Sequence, residues 1–167
     1  MALGYALPAT LRWGLRANPQ SGGERPCVAF VHGTSRQDKC WPQEHWVRLG
    51  RALVEEGFAI GLPHGSDAEQ RRSEALAAGI GPAAAVWPRL DLGTLTDRLA
   101  GCAGVIGVDS GLSHIAVALD LPHVQVYNFD TAWRTGPLAA GRQRSVYGSP
   151  CPSPEAVWEA WRAATAR

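Results

Sequence analysis

Short apolar runs alternate with amphipathic segments along most of this chain. The apolar runs have the length and composition of buried strands, and they lie at residues 27–31, 58–62, 83–87, 105–108 and 124–127, with a shorter run at 145–147. Between them, apolar residues recur at helical spacing. The pattern predicts helices from Pro42 to about Gly57, from Ser66 to about Ala78, from Leu92 to Cys102, from Ser113 to Leu119 and from Ser153 onward.

Alternating buried strands and helices joined by short loops are typical of a parallel sheet covered on both faces. Right-handed crossovers then make an α/β fold, a doubly wound parallel sheet of the Rossmann-like type. Residues 1–26 have no lasting period, and residues 18–23 have the composition of a loop. We therefore interpret residues 1–26 as a linker segment and residues 27–167 as the folded domain.

The composition narrows the class of protein. The chain has 167 residues, 46% of them apolar, and a net charge of +1, which fits one globular domain and argues against a basic nucleic-acid-binding surface. We find no apolar run of membrane-spanning length, no convincing secretory signal and no C-x-x-C pair among the four cysteines. We therefore expect a cytoplasmic protein. Among 16 basic residues, 15 are arginine and only Lys39 is lysine, which we attribute to an arginine-rich composition.

The loop after the first predicted strand is rich in groups that bind anions. Gly33, Thr34 and Ser35 are small, so backbone N–H groups and two hydroxyls can approach a phosphate, and Lys39 can supply a positive charge. The spacing differs from that of a Walker A loop. The alternative is a solvated turn that carries a surface lysine.

A second candidate loop follows the fourth predicted strand and leads into a helix. Free N–H groups at a helix start favour negative charge, and Gly111 allows a phosphate to approach the backbone closely. Asp109 ends a buried strand, where a carboxylate is costly without a partner or a substrate hydroxyl. Alternatively, Ser110 or Ser113 is a plain helix cap. A Ser-His-Asp triad of Ser110, His114 and Asp109 is rejected, because adjacent positions cannot aim three side chains at each other.

Glu69 is a third candidate. Its carboxylate can accept both hydroxyls of a ribose, as acids at the edge of dinucleotide sites do. The alternative is that Glu69 only completes a capping box that begins at Ser66. His64 and His114 have no second metal ligand at helical spacing, so no metal site is expected.

Three motifs together resemble a known family. They are H-G-T-S-R-Q-D-K-C-W-P at residues 32–42, L-P-H-G at 62–65 followed by Glu69, and V-D-S-G-L-S-H at 108–114. In order and spacing they resemble the bacterial ADP-heptose:lipopolysaccharide heptosyltransferases, in particular the heptosyltransferase I group. Two departures are visible, because Ser35 stands where a second threonine is common and His64 stands where the family often has tryptophan.

The resemblance implies a GT-B glycosyltransferase, in which two Rossmann-like domains face a cleft, and this chain resembles the C-terminal domain that binds the donor ADP-heptose. It implies that Thr34, Ser35 and Lys39 contact the diphosphate and that Glu69 holds the adenosine ribose. Asp109, Ser110, Gly111 and His114 would surround the phosphates and the heptose. No D-x-D motif is present, so leaving-group stabilisation without a metal or other cofactor is expected.

The resemblance also implies a missing part. The family's general base belongs to an N-terminal domain that also binds the lipopolysaccharide inner-core acceptor, and we find no counterpart here. We therefore expect the donor-binding half of an inverting heptosyltransferase, inactive alone, whose full enzyme acts in the cytoplasm or peripherally at the inner membrane. Two alternatives remain: a nucleotide-binding or regulatory module without catalysis, and a GT-B donor domain for another nucleotide sugar. We expect Trp13, Trp158 and Trp161 to be exposed where the other domain would pack.

Overall fold

The computed structural model describes residues 12–20, 23–138 and 141–166. Six strands form one sheet in which every pairing is parallel. The strands are β1 (Cys27–Val31), β2 (Ala59–Leu62), β3 (Ala84–Val86), β4 (Gly104–Val108), β5 (His123–Tyr127) and β6 (Gln143–Tyr147). Each lies within two residues of its predicted position, so the predicted α/β fold is confirmed.

The first five helices connect consecutive strands, and the sixth follows β6. They are α1 (Gln43–Glu55), α2 (Asp67–Ile80), α3 (Leu92–Ala100), α4 (Gly111–Ala118), the four-residue α5 (Ala132–Thr135) and α6 (Pro154–Thr165), together with one 3-10 turn (Gln37–Lys39). Sequence patterns predicted neither the 3-10 turn nor α5, because both are too short to show a helical period. Helix α4 begins at Gly111, two residues earlier than predicted.

Local signals place several of these boundaries. Ser66 caps α2 by accepting the Glu69 N–H at 3.3 Å, and Ser153 caps α6 by accepting the Ala156 N–H at 3.2 Å. Gly57 has a φ of +94° just after α1, as the sequence predicted for a residue that ends a helix in the left-handed region.

The strand order is β3-β2-β1-β4-β5-β6. The chain winds outward from β1 in one direction and from β4 in the other, so the order reverses between these two neighbouring strands. Ligands of doubly wound sheets bind in the crevice beyond the carboxyl ends of the strands at such a reversal. The fold therefore directs attention to the loops that follow β1 and β4.

Apolar side chains from both faces of the sheet form the core. One face packs against α1, α2 and α6, with Trp46, Leu49 and Trp161 almost fully buried, and the other packs against α3 and α4. The prediction that Trp161 is exposed is wrong: its ring lies against the backbone of Gly104 and makes an edge contact with Phe58. Trp158 is half-buried, whereas Trp13 is 51% exposed as expected.

The segment before β1 contacts the domain without forming a helix or strand over its described residues. The backbone N–H groups of Asn18 and Gln20 donate to the Asp97 side chain and carbonyl at 2.8 and 3.3 Å. The rest of the predicted linker, residues 1–11 and 21–22, lies outside the described residues, and the boundary at residue 26 stays a prediction. None of the helices described here is both long and apolar enough for a membrane span.

Candidate functional site

A cavity of 660 Å³ opens at the reversal between β1 and β4. Its walls come from the loops that follow β1, β2, β3 and β4. Of the eight predicted site residues, six line it: Thr34, Ser35, Glu69, Asp109, Ser110 and Gly111. The other two, Lys39 and His114, contact Asp109 at the edge of this cavity. The fold therefore brings together three segments that are far apart in sequence.

An ion pair joins two of these segments. Lys39 Nζ lies 2.7 Å from Asp109 Oδ2, and the side chains are 24% and 8% exposed. Asp109 Oδ1 accepts a hydrogen bond from Gln125 Nε2 at 3.2 Å and lies 3.6 Å from His114 Nε2. A carboxylate this deeply buried is costly unless it is paired, and here it has a charge partner and an amide donor. Lys39 is therefore not the isolated surface lysine that the alternative interpretation required.

The start of α4 also differs from a simple capped helix. Ser110 occupies the N-cap position by its backbone, but its side chain makes no capping bond, and its buried Oγ has no hydrogen-bond partner among the described residues. Ser113 Oγ donates to the Val108 carbonyl at 2.6 Å. Neither serine is thus a plain cap. A Cβ added at Gly111 would meet no atom within 4 Å, so the space beside that backbone is open to the cavity.

Glu69 faces the cavity from the first turn of α2. Its Oε2 accepts the Gly65 N–H at 2.7 Å, and its Oε1 lies against Gly33, where a Cβ would collide with the carboxylate. The absence of a side chain at Gly33 therefore lets Glu69 reach the β1 loop. Only half of the capping box that the alternative required is formed, because Ser66 accepts the Glu69 N–H while the Glu69 carboxylate bonds Gly65 instead of Ser66 and faces the cavity.

An apolar wall completes the cavity, and the sequence analysis missed it. Leucines from the loop after β3 and the start of α3 face residues of α4 across the opening. These residues are Leu90, Leu92, Leu95, Leu112 and Ile115. Leu92, at the start of α3, is 63% exposed. Such a wall can cover a flat apolar group such as a nucleobase.

Two polar residues of β5 and the loop after it were also missed. Gln125 is fully buried in the middle of β5 and donates to Asp109. Asn128 follows β5 and donates to the carbonyls of Asp38 and Cys40, both at 3.0 Å. A glutamine in the middle of an otherwise apolar strand is a sequence signal that could have identified the first of these.

Buried histidines near the sheet are neutral at ordinary pH. Burial lowers the pKa of His32 to about 4, helped by the positive charge of Arg72, and the same desolvation lowers the pKa of His123 to about 4. His32 Nε2 pairs with Ser73 Oγ at 2.8 Å, and His123 Nδ1 donates to the Val105 carbonyl at 3.0 Å. Over residues 12–20, 23–138 and 141–166, no group of three or more His, Cys, Asp or Glu side chains is arranged to hold a metal ion.

A second hollow is larger, but a single helix lines it. It has a volume of 950 Å³ and is lined only by one side of α1 and its first turn, between Gln43 and Glu55. A surface formed by a single helix brings together no groups from separate segments. The 660 Å³ cavity is therefore the candidate site, and it combines the Lys39–Asp109 pair at its edge, the start of α4, the Glu69 carboxylate and an apolar wall.

Comparison with protein families gives one matching family over most of the chain. Residues 8–156 match the model of glycosyltransferase family 9 (heptosyltransferase). Over 154 residues, the chain is 38% identical to lipopolysaccharide heptosyltransferase 1 of Pseudomonas aeruginosa, covering 90% of this chain and 42% of that protein. It is 39% identical over 132 residues to the Escherichia coli K12 protein of the same name, covering 75% and 40% respectively. The chain thus spans about two fifths of the length of these relatives.

Solved structures agree with this match. The E. coli heptosyltransferase WaaC with ADP superimposes with a TM-score of 0.75 at 30% identity, covering 94% of this chain and 51% of that one. The same enzyme with ADP-2-deoxy-2-fluoro heptose gives a TM-score of 0.71 at 32% identity, with 94% and 50% coverage.

Proposed function

Because this chain belongs to glycosyltransferase family 9, the heptosyltransferase family, we propose that its cavity binds the ADP part of an ADP-heptose donor in lipopolysaccharide inner-core synthesis. The observation that carries the proposal is the Lys39–Asp109 pair at 2.7 Å, beside the uncapped start of α4 and at the edge of the cavity that Glu69 and Asp109 line. The two similar solved structures, described as holding ADP and a fluorinated ADP-heptose, support this choice of ligand.

Each part of the cavity has a partner in such a donor. Lys39, the hydroxyls of Thr34 and Ser35, and the N–H groups at the start of α4 suit a diphosphate. Glu69 suits the ribose hydroxyls, and the apolar wall suits adenine. The buried Ser110 hydroxyl, which has no partner among the described residues, would gain one from a phosphate oxygen.

In the transfer itself, an acceptor hydroxyl attacks the anomeric carbon of the heptose while the bond from that carbon to the diphosphate oxygen breaks. Negative charge develops on the departing diphosphate, where Lys39 and the N-terminus of α4 would stabilise it. Asp109 and His114 would lie around the heptose and phosphates at the edge of the cavity, where Asp109 can accept only from a sugar hydroxyl. The proton of the acceptor hydroxyl would go to a base outside this chain.

Transfer to a lipopolysaccharide acceptor would belong to the whole protein, since this chain spans 42% of its relative's length. We therefore propose that the chain binds donor but does not transfer heptose alone, and that the full enzyme acts at the cytoplasmic side of the inner membrane without a metal cofactor. A regulatory module would bind ADP-heptose yet gain no activity from an added acceptor domain.

Calorimetry with ADP, ADP-heptose and UDP-linked sugars tests this proposal. We expect saturable binding of both adenine ligands and weaker binding of the uridine ones. Adding the separately expressed N-terminal half of a relative should then restore transfer to the inner-core acceptor. Tighter binding of a UDP-sugar would identify a different donor, and transfer by this chain alone would overturn the assignment of a donor-binding half.

A further inference from the structure

Two side-chain amides, one in β5 and one just after it, support the two members of the Lys39–Asp109 pair. Gln125, in the middle of β5, donates Nε2 to Asp109 Oδ1 at 3.2 Å. Asn128, one residue beyond β5, donates Nδ2 to the carbonyls of Asp38 and Cys40, both at 3.0 Å. We propose that Gln125 and Asn128, here called the amide clamp, are positioning residues that fix Lys39 against Asp109 in the orientation that receives a diphosphate.

The register of β4 and β5 places the Gln125 amide where it can orient the Asp109 carboxylate. Gln125 pairs with Gly107 across the β4–β5 ladder, and Asp109 follows Gly107 by two positions, so the Gln125 and Asp109 side chains lie on the same face. Gln125 is fully buried and Asp109 is 8% exposed. In this environment an amide donor stabilises the ionised carboxylate and restricts its rotation. With Oδ1 directed at Gln125, Oδ2 is left for Lys39.

The position of Lys39 depends on Asn128, because the turn that contains Lys39 makes few other stabilising contacts. The 3-10 turn Gln37–Lys39 contains no buried residue, and the ion pair between Arg36 and Asp38 beside it is largely exposed. Such an exposed pair stabilises little. The Asn128 amide bonds to carbonyls on both sides of Lys39, 88 and 90 positions away in sequence. It therefore ties the turn to the end of β5.

The clamp explains how an exposed turn can present a lysine at a defined place. Neither amide lines the 660 Å³ cavity, although Asn128 borders the small hollow beside Lys39 and Asp109. The amide nitrogens already donate to protein oxygens, so we assign the two side chains a positioning role. Both act through the ion pair, Gln125 on the carboxylate and Asn128 on the backbone of the lysine. The expected effect of the amide clamp on ADP binding rests on the proposed function, whereas its expected effect on the position of Lys39 does not.

A matched control lies on the neighbouring strand. Gln143 in β6 is 5% exposed and donates Nε2 to the Val117 carbonyl at 3.1 Å, away from the cavity. Gln143→Met and Gln125→Met each remove one buried amide donor and keep the volume of the side chain. Any difference between them therefore reports the loss of the bond to Asp109 rather than a general loss of stability.

The test uses the only lysine in the full 167-residue chain. Acylation of Lys39 by an acetyl ester, followed by mass spectrometry of its peptide, reports how often the ammonium leaves Asp109, with Asp109→Asn as the reference for a broken pair. Because two hydrogen bonds are lost, we expect Asn128→Ala to raise the acylation rate and to weaken ADP binding, each by about tenfold. Asn128→Asp keeps the shape of the side chain but not the donor, so it should have the same effects. Gln125→Met should raise the acylation rate and weaken ADP binding, each by about threefold to tenfold.

The outcomes separate the clamp from the proposed function. Wild-type rates and affinities in Asn128→Ala and Gln125→Met, or equal changes in Gln143→Met, overturn the clamp. Faster acylation with unchanged ADP affinity also overturns its role in positioning Lys39 for the ligand. If the wild-type chain binds no ADP but the clamp variants still expose Lys39, the clamp stands and the proposed function fails.

Discussion

Lys39 Nζ and Asp109 Oδ2 lie 2.7 Å apart, although 70 residues separate them in sequence. The pair bridges the two strands between which the sheet order reverses, since Lys39 follows β1 and Asp109 follows β4. The ammonium group of Lys39 is therefore already held in place by a buried carboxylate when an anion enters the cavity. This arrangement places positive charge at a fixed point, which a mobile surface lysine would not do.

Loss of the Lys39 ammonium should weaken ADP binding, and it should also lower the free energy of unfolding because the buried Asp109 carboxylate loses its charge partner. We expect Lys39→Ala to lower the affinity for ADP by about ten- to a hundredfold, the range for losing a charge-assisted hydrogen bond. Arg36→Ala is the matched control, because this cation lies near the same turn but is 61% exposed and paired with Asp38. Calorimetry should show near wild-type affinity for Arg36→Ala; equal losses in both variants would return Lys39 to the class of surface charges.

The Glu69 carboxylate should matter for the ribose but not for the phosphates. In Glu69→Gln, the side-chain oxygen can still accept the Gly65 N–H, but the charge is lost. We expect ADP to bind about tenfold more weakly, because hydrogen bonds to charged groups exceed those to neutral ones, while inorganic pyrophosphate binds as before. Glu74→Gln, on the exposed side of α2, is the control. A parallel loss for pyrophosphate would place Glu69 at the phosphates instead.

Gly111→Ala should weaken ADP binding without destabilising the protein. The added methyl group meets no protein atom within 4 Å, and Gly111 is the first residue of α4, so stability should be kept. Affinity for ADP should nevertheless fall, because a phosphate against this backbone would collide with the methyl group. Urea unfolding and calorimetry on the same sample measure both effects. Wild-type affinity would mean that the phosphates lie elsewhere.

The buried histidines predict a loss of stability in mild acid. Because burial lowers the pKa of both His32 and His123 from 6.5 to about 4, the unfolded chain takes up protons before the folded one as the pH falls. Between pH 6.5 and 4, each histidine should lower the free energy of unfolding by about 1.4 kcal/mol per pH unit. Urea unfolding at pH 7, 6 and 5 checks this, and His123→Gln should reduce the slope. A flat profile over this range would contradict the neutral burial of these side chains.

The fold could be predicted from sequence because each strand and most helices have strong local signals. Apolar runs marked all six strands, Ser66 and Ser153 marked helix starts, and Gly57 marked a helix end. Side-chain exposure was predicted less well. Trp161 lies on an amphipathic helix at the end of the chain, and only the packing of α6 against β4 shows that its ring is buried.

The site was predicted in part for the same reason. Polar residues at strand ends indicated both anion-binding loops, but no local signal shows that Lys39 reaches Asp109 or that Glu69 reaches Gly33. The contacts of Asn128 span 88 and 90 positions and depend on where β5 lies in the sheet, so they could not be predicted from spacing. Long-range pairings of this kind follow from strand order, which the sequence pattern alone does not determine.

The single lysine allows one site-resolved test of the central claim that a diphosphate binds at Lys39. Lysine labelled with ¹³C and ¹⁵N gives one side-chain ammonium signal in this chain, since no other lysine is present. Titration with ADP should move that signal saturably, and in the Gly111→Ala variant the movement should need a higher ADP concentration. If the Lys39 signal stays unchanged while calorimetry shows that ADP binds, the nucleotide occupies another place and the account is contradicted.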